Sequence, residues 1–286
     1  VGSEMCIRDR SRKPIVKSAN LYADLARRDF TINTLARKLY RKRLGKLIDL
    51  FGGLDDLKKG IIKTPLEPET TFEDDPLRIL RAIRFATQLN FKIEKKTYEA
   101  LKSKKERLKI ISQERITDEF MKILSTDKPS IGLKLLKNTG ILSIIFPEID
   151  QLSGVEQKDK FHHKDIFIHT IKVVDNVAKK TENLKLRFTA LVHDIGKPET
   201  KRFIEGSGWT FHGHEELGAK MLEKIVPRLR LPKEYLDYSQ KLVRLHLRPI
   251  NLSSETVTDS AIRRLIVKAG DELDDLLTLC LSLIHI

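Results

Sequence analysis

Apolar residues in this chain recur three and four apart far more often than they alternate, which predicts a mostly α-helical protein. Residues 72–86, F-E-D-D-P-L-R-I-L-R-A-I-R-F-A, are the clearest case, with Ile79, Leu80 and Ile83 on one face. Pro76 lacks a backbone donor and fits the first turn of a helix, and Glu73, Asp74 and Asp75 ahead of it suit a helix N-terminus. Residues 24–36 carry the apolar anchors Leu25, Phe30, Ile32 and Leu35 and predict a capped amphipathic helix. Asp29 and Asn33 would share a face of that helix. Gly52-Gly53 reads as a structural turn, residues 54–59 as a short helix and Ile61-Ile62 as a strand. Helical pattern returns over 95–124, with Ser112 a candidate N-cap, and over 129–149, with a loop at Phe146-Pro147. The stretch 150–160 is a candidate domain boundary, and 11–16 reads as a short basic strand remnant.

Beside the apolar face of 72–86, Asp75, Arg78, Arg81 and Arg84 follow one another at three-residue steps and form a slanting polar ridge. Intrahelical Asp–Arg pairs, each contributing about 0.2–0.5 kcal/mol, are one account of the ridge. The other is a ridge turned to a ligand. An arginine fork and a carboxylate one turn apart match the donors and acceptors on the edge of a base.

Composition favours the second account. The chain has 286 residues, room for one large domain or two to three smaller ones, and carries 54 basic against 40 acidic residues, a net charge of +14. That excess favours a polyanionic partner, of which nucleic acid is the commonest. No apolar run approaches the roughly 20 residues that span a bilayer, so no membrane partner is expected. Two cysteines cannot build a disulfide framework, so a reducing, cytoplasmic setting is expected. The two ends stand apart. Residues 5–10 and 281–286 can be encoded by one DNA element in opposite orientations, so 1–10 and 281–286 resemble a sequencing adaptor translated at both edges. Natural sequence is then expected over 11–280.

Seven of the eight histidines lie between His162 and His246. They sit in H-H-K-D-I-F-I-H-T, L-V-H-D-I-G-K-P, F-H-G-H-E-E-L-G-A and R-L-H-L-R-P. Histidines at helix-separated intervals with an adjacent His-Asp pair predict a metal site. Imidazole and carboxylate without thiolate suit Mn²⁺, Fe²⁺, Ni²⁺ or Zn²⁺ and do not choose among them.

Two family resemblances gather these motifs. Residues 72–86 resemble the base-reading motif of the bacterial-type CCA-adding tRNA nucleotidyltransferase and poly(A) polymerase family, in which Asp75 and Arg78 match the base-reading pair; Asp74 stands where that family more often has Glu. R-R-D-F-T-I-N at 27–33 is similar to its segment for sugar and triphosphate, implying phosphate contacts from Arg27 and Arg28 and ribose contacts from Asp29 and Asn33. Arg81 belongs with this nucleotide-binding set. D-L-F-G-G at 49–53 and S-Q-E-R-I-T-D-E at 112–119 match two further motifs, the second implying that Glu114, Arg115 and Glu119 brace the neck. The histidine segments resemble the HD metal-dependent phosphohydrolase domain. That likeness implies metal ligands His169, His193 and Asp194, extra ligands His214 and His246 for a two-metal variant, and a phosphate contact from Lys197. It also implies a later aspartate, for which Asp259, Asp271, Asp274 and Asp275 are candidates or which lies past Cys280.

The resemblance implies a mostly α fold: a partial α/β nucleotidyltransferase head over 11–65, a helical neck and body over 66–155 and an α-helical HD domain over 156–280. It implies addition of C, A or both to tRNA 3′ ends from CTP and ATP, with Mg²⁺ held by a D-x-D pair. No D-x-D motif occurs in this chain, so no catalytic residue for nucleotidyl transfer is expected in it. A stand-alone HD phosphohydrolase with an RNA-binding N-terminal part, and a non-catalytic tRNA-binding module, are the alternatives.

Overall fold

The computed structural model describes residues 3–7, 15–41, 43–154, 156–158, 163–205, 208–252 and 258–284, with the backbone alone at 3–7, 15–19, 156–158 and 163–164. Readings that fall on residues 1–2, 8–14, His162 and 285–286 lie outside the described residues. Helices dominate, and among the described residues the strands form only two-stranded pairs. The chain folds as two compact units, residues 1–112 and 113–286.

In the first unit Ser3–Ile7 pairs antiparallel with Ile15–Ala19, and Ala36–Tyr40 with Arg43–Ile48. Ile61–Ile62 runs parallel to Lys92–Ile93. The helix Leu77–Leu89 supplies the centre of the core: Ile79, Leu80, Ile83 and Ala86 are fully buried with Leu25, Phe30, Ile62 and Phe72. The helix starts at Pro76 as expected. A proline disfavours helical geometry in the residue before it, so Asp75 is extended (φ −144°, ψ 98°) and separates this helix from Pro68–Asp74. The helix ends at Asn90, whose left-handed backbone (φ 53°) closes it with Phe91 N–H donating to the Ala86 carbonyl.

The expected single helix over 24–36 does not form. The structure has a helix over Leu21–Ala26, a 3₁₀ turn over Thr31–Asn33 and a strand from Ala36. Two demands pull the chain out of the helix. Phe30 packs edge-on against Phe85 at 5.8 Å, and Thr31 N–H donates to the Lys63 carbonyl. The basic run over 102–109 is a paired surface: Lys102 with Glu99, Lys104 with Glu73 and Lys109 with Glu106.

The second unit opens with the helices Gln113–Leu124 and Pro129–Asn138, followed by the short turns Leu142–Ile145 and Pro147–Asp150. No helix spans 129–149 as one piece; Gly140 (φ 70°) and Pro147 divide it. Long helices follow over Ile166–Ala178, Leu184–Val192, His214–Arg228, Lys233–Leu245, Asp259–Ala269 and Leu273–Ile284. Phe120, Phe146, Phe188 and Tyr235 form a chain of ring contacts at 5.8, 6.4 and 5.8 Å through this core. Arg187 is buried among them. It donates to the carbonyls of Leu124, Thr126, Ala178 and Thr181, and so ties two chain reversals to the helix Leu184–Val192. No described helix is long and apolar enough to cross a membrane.

Gly53 begins a short helix whose first amides donate to the Asp49 carboxylate at 2.8 and 2.9 Å. A Cβ there would collide with the Thr31 carbonyl. Gly53→Ala is therefore expected to destabilise the first unit by about 1–3 kcal/mol, the usual cost of overpacking, read from chemical denaturation.

Candidate nucleotide and metal sites

In the first unit Asp29 is the centre of a network that holds Arg81 and Asn33. Its carboxylate is buried and accepts from Arg81 Nε and Nη2 at 2.8 and 2.5 Å, from Asn33 Nδ2 at 2.7 Å and from Phe30 N–H at 3.0 Å. Arg78 donates to the Arg27 carbonyl at 2.5 Å, and Arg28 to the Asn33 carbonyl at 2.9 Å. Asp75 caps the start of the long helix through Leu77 N–H at 3.2 Å. Asp29 and Asn33 thus meet although no helix joins them.

Two bonds to carbonyls, Arg27 and Thr71, anchor Arg78 and leave three of its five N–H donors for other partners. Arg27 and Arg28 keep partly exposed guanidinium groups, each near Asp24. The Arg84 guanidinium lies over the Phe85 ring at 4.3 Å.

The second unit gathers His169, His193, Asp194, His214 and His246, and helix ends place most of them. His193 and His246 cap the C-termini of Leu184–Val192 and Lys233–Leu245, Asp194 follows directly, and His214 opens its own helix. His169 lies in the first turn of Ile166–Ala178, which Asp165 caps through Ile168 N–H. Asp194 is at the centre. Oδ2 lies 3.1 Å from His193 Nε2 and 3.9 Å from His169 Nε2; Oδ1 lies 3.4 Å from His214 Nε2 and 3.9 Å from His246 Nε2. Two triads able to hold a cation therefore share Asp194: His169–His193–Asp194 and Asp194–His214–His246.

Three of these histidines are held in one orientation by the same device. Nδ1 of His193, His214 and His246 meets the carbonyl three residues earlier, at 2.8, 2.8 and 2.6 Å. A neutral ring in that contact carries its proton on Nδ1 and presents the Nε2 lone pair. The three Nε2 atoms are buried and have no hydrogen-bond partner. Burial, with His193 alongside, pushes the His246 pKa down to about 3, so this ring is neutral near pH 7. Burial alone would raise the Asp194 carboxyl; the charge of His193 when that ring is protonated, and of Lys197, overcomes it and holds the pKa well below the usual carboxylate range. An anionic carboxylate among lone pairs at two helix C-termini is a donor set that fits a divalent cation.

Lys197 is buried and donates to Asp194 Oδ2 at 2.8 Å, which adds a tie to the cluster that sequence did not indicate. Gly196 stands with Lys197 and Pro198 in the segment that resembles the HD motif. A Cβ there would meet the His214 carbonyl and the Gly218 amide, so glycine lets the His-Asp turn lie against the helix that presents His214. Of the later aspartates, Asp275 accepts from Tyr238 and Asn183 at 2.6 and 3.0 Å. None of Asp259, Asp271, Asp274 and Asp275 joins either triad among the described residues.

A histidine–aspartate cluster at helix ends of a mostly helical unit is of the HD type, and the HD domain model matches residues 166–276. The poly A polymerase head domain matches 3–63, and the "Probable RNA and SrmB-binding site of polymerase A" matches 90–152. A multifunctional CCA protein of Vibrio campbellii is 33% identical over 274 residues, covering 92% of this chain and 65% of that protein. An A-adding tRNA nucleotidyltransferase of Deinococcus radiodurans is 34% identical over 271 residues, covering 92% of this chain and 60% of that protein. The chain belongs to the tRNA nucleotidyltransferase and poly(A) polymerase family, and it spans under two thirds of these relatives.

The fold agrees with solved structures. A tRNA nucleotidyltransferase complexed with a primer tRNA and an incoming ATP analog has a TM-score of 0.65 at 23% identity, over 93% of this chain and 70% of that one. A Thermotoga maritima CCA-adding enzyme complexed with tRNA has 0.62 at 21%, over 99% and 64%.

Asp29→Ala should unfold the nucleotide-site network. Removing the carboxylate strands Arg81, Asn33 and the Phe30 amide together, for an expected loss of about 1–3 kcal/mol in denaturant titration. Asp29→Asn should lose less, since its amide oxygen can still accept one or two of these bonds.

Proposed function

We propose that this chain is part of an enzyme that adds C, A or both to tRNA 3′ ends from CTP and ATP, joined to an HD phosphohydrolase centre. The convergence of His169, His193, Asp194, His214 and His246 on one buried point carries the HD half of the reading. The Asp29 network with Asn33, Arg81 and Arg28, and the bond from Arg78 to the Arg27 carbonyl one helical turn from Asp75, support the nucleotide half. We divide the natural chain into a head part over 11–65, a neck and body over 66–155 and the HD domain over 156–280.

In the first unit Asp75 and Arg78 read the base edge, Arg27 and Arg28 meet the phosphates, and Asp29 with Asn33 sets the ribose side. In the second, the two triads would hold divalent cations, Mn²⁺, Ni²⁺, Fe²⁺ or Zn²⁺, and such ions would supply Lewis-acid polarisation for hydrolysis of a phosphomonoester or 2′,3′-cyclic phosphate. Asp194 serves both triads, and Lys197 neutralises part of its charge and stands near the incoming phosphate. Nucleotidyl transfer itself needs Mg²⁺ and a carboxylate pair of the D-x-D type, which this chain lacks. The chain should therefore incorporate neither CMP nor AMP into tRNA; incorporation by the pure chain would sink that assignment.

Mn²⁺ or Ni²⁺ should raise the melting temperature of the chain and support phosphoester hydrolysis, and both effects should vanish in His193→Ala and Asp194→Ala. Elemental analysis that finds no bound metal, with no metal-dependent melting shift, would make the cluster structural.

Arg78→Ala should weaken CTP and ATP binding by about 1–3 kcal/mol, the scale of a bidentate contact to a base edge, while tRNA binding changes little. Equal losses for both ligands would point to a structural role for Arg78.

A further inference from the structure

Between Lys197 and His214 the chain makes a short hairpin, Arg202–Ile204 paired antiparallel with Gly208–Thr210. Phe203 stands directly across from Trp209, and the two rings meet edge to face at 5.4 Å. Both are exposed, Phe203 by 63% and Trp209 by 41%, so the hairpin gains little from burying them. The Lys201 ammonium lies 4.5 Å from the Trp209 ring centroid. Two residues past Trp209, Phe211 lies 5.7 Å from the Lys197 ammonium, which itself holds Asp194 Oδ2 at 2.8 Å. Phe203, Trp209 and Phe211 thus lie on and just past the two strands, beside Lys201 and Lys197, and Lys197 reaches the centre of the histidine cluster.

We propose that this hairpin is a stacking platform for the bases of single-stranded RNA, delivering a terminal phosphate to the cluster. The inference rests on reading the cluster as a phosphoester site and names its substrate class. Exposed rings interleaved with ammonium groups suit a strand that offers a flat base and an anionic phosphate at each step. The net charge of +14 acts in the same direction. A paired duplex hides its base faces and would not engage the rings.

Trp209 is the single tryptophan of the chain, so its fluorescence reports on the platform directly. The full chain, kept in chelator, is titrated with a short unpaired RNA and with an abasic ribose-phosphate strand of the same length and charge. The RNA should quench Trp209 and the abasic strand should not. By anisotropy of labelled RNA, Phe203→Ala should bind about tenfold more weakly, the loss expected for one base–aromatic stack, and Phe203→Tyr should bind like the parent. Phe203 is mostly exposed, so these variants should keep the parent's melting temperature. Equal quenching by the abasic strand, or an unchanged affinity in Phe203→Ala, overturns the platform. Because binding is read without metal, stacking stands or falls separately from metal-dependent hydrolysis.

Discussion

The demand that buried polar atoms be matched organises both units. In the first, the Asp29 carboxylate takes four hydrogen bonds and so fixes Arg81, Asn33 and the turn at Phe30. In the second, Arg187 satisfies four carbonyls where helices end. An unmatched buried donor or acceptor costs about 1–3 kcal/mol, so such ties position helices as firmly as apolar packing does. Against that background one group among the exceptions is informative. The Nε2 atoms of His193, His214 and His246 break the rule together, at one place, around one carboxylate.

Much of this was legible in the residues. The spacing of Ile79, Leu80 and Ile83 showed the central helix of the first unit, and Pro76 showed where it begins. The histidine segments named the five residues that meet in the second unit. What sequence could not show were matters of approach. Periodicity over 24–36 favoured a helix, but the tertiary demands of Phe30 and Asp29 outweighed it. Arg187 looked like any arginine on a helix, since nothing local marks a side chain that will reach four distant carbonyls. Gly196 gave no sign that His214 would lie against it. The aromatic hairpin did leave a trace, a lone tryptophan beside a glycine-rich turn with alternating apolar residues, a pattern easily lost in so helical a chain.

The two candidate sites use arginine and histidine for different physical reasons. Around Asp29 the guanidinium groups of Arg78 and Arg81 hold backbone and carboxylate with some of their donors and keep others available. A planar fork suits recognition of a planar partner. Around Asp194 the imidazoles give one nitrogen to the backbone and keep the other as a lone pair, which suits a cation.

The order of the cluster residues along the chain has a consequence for biosynthesis. His169, His193, His214 and His246 come from four successive helices, and three of them are oriented by the ends of those helices. During translation the cluster cannot close until His246 has left the ribosome and its helix has docked. Loop closure over that span delays assembly relative to the local helices. A nascent chain stopped before His246 would present helices without a centre, and so be distinguishable by quality-control proteases from one that is complete through that point.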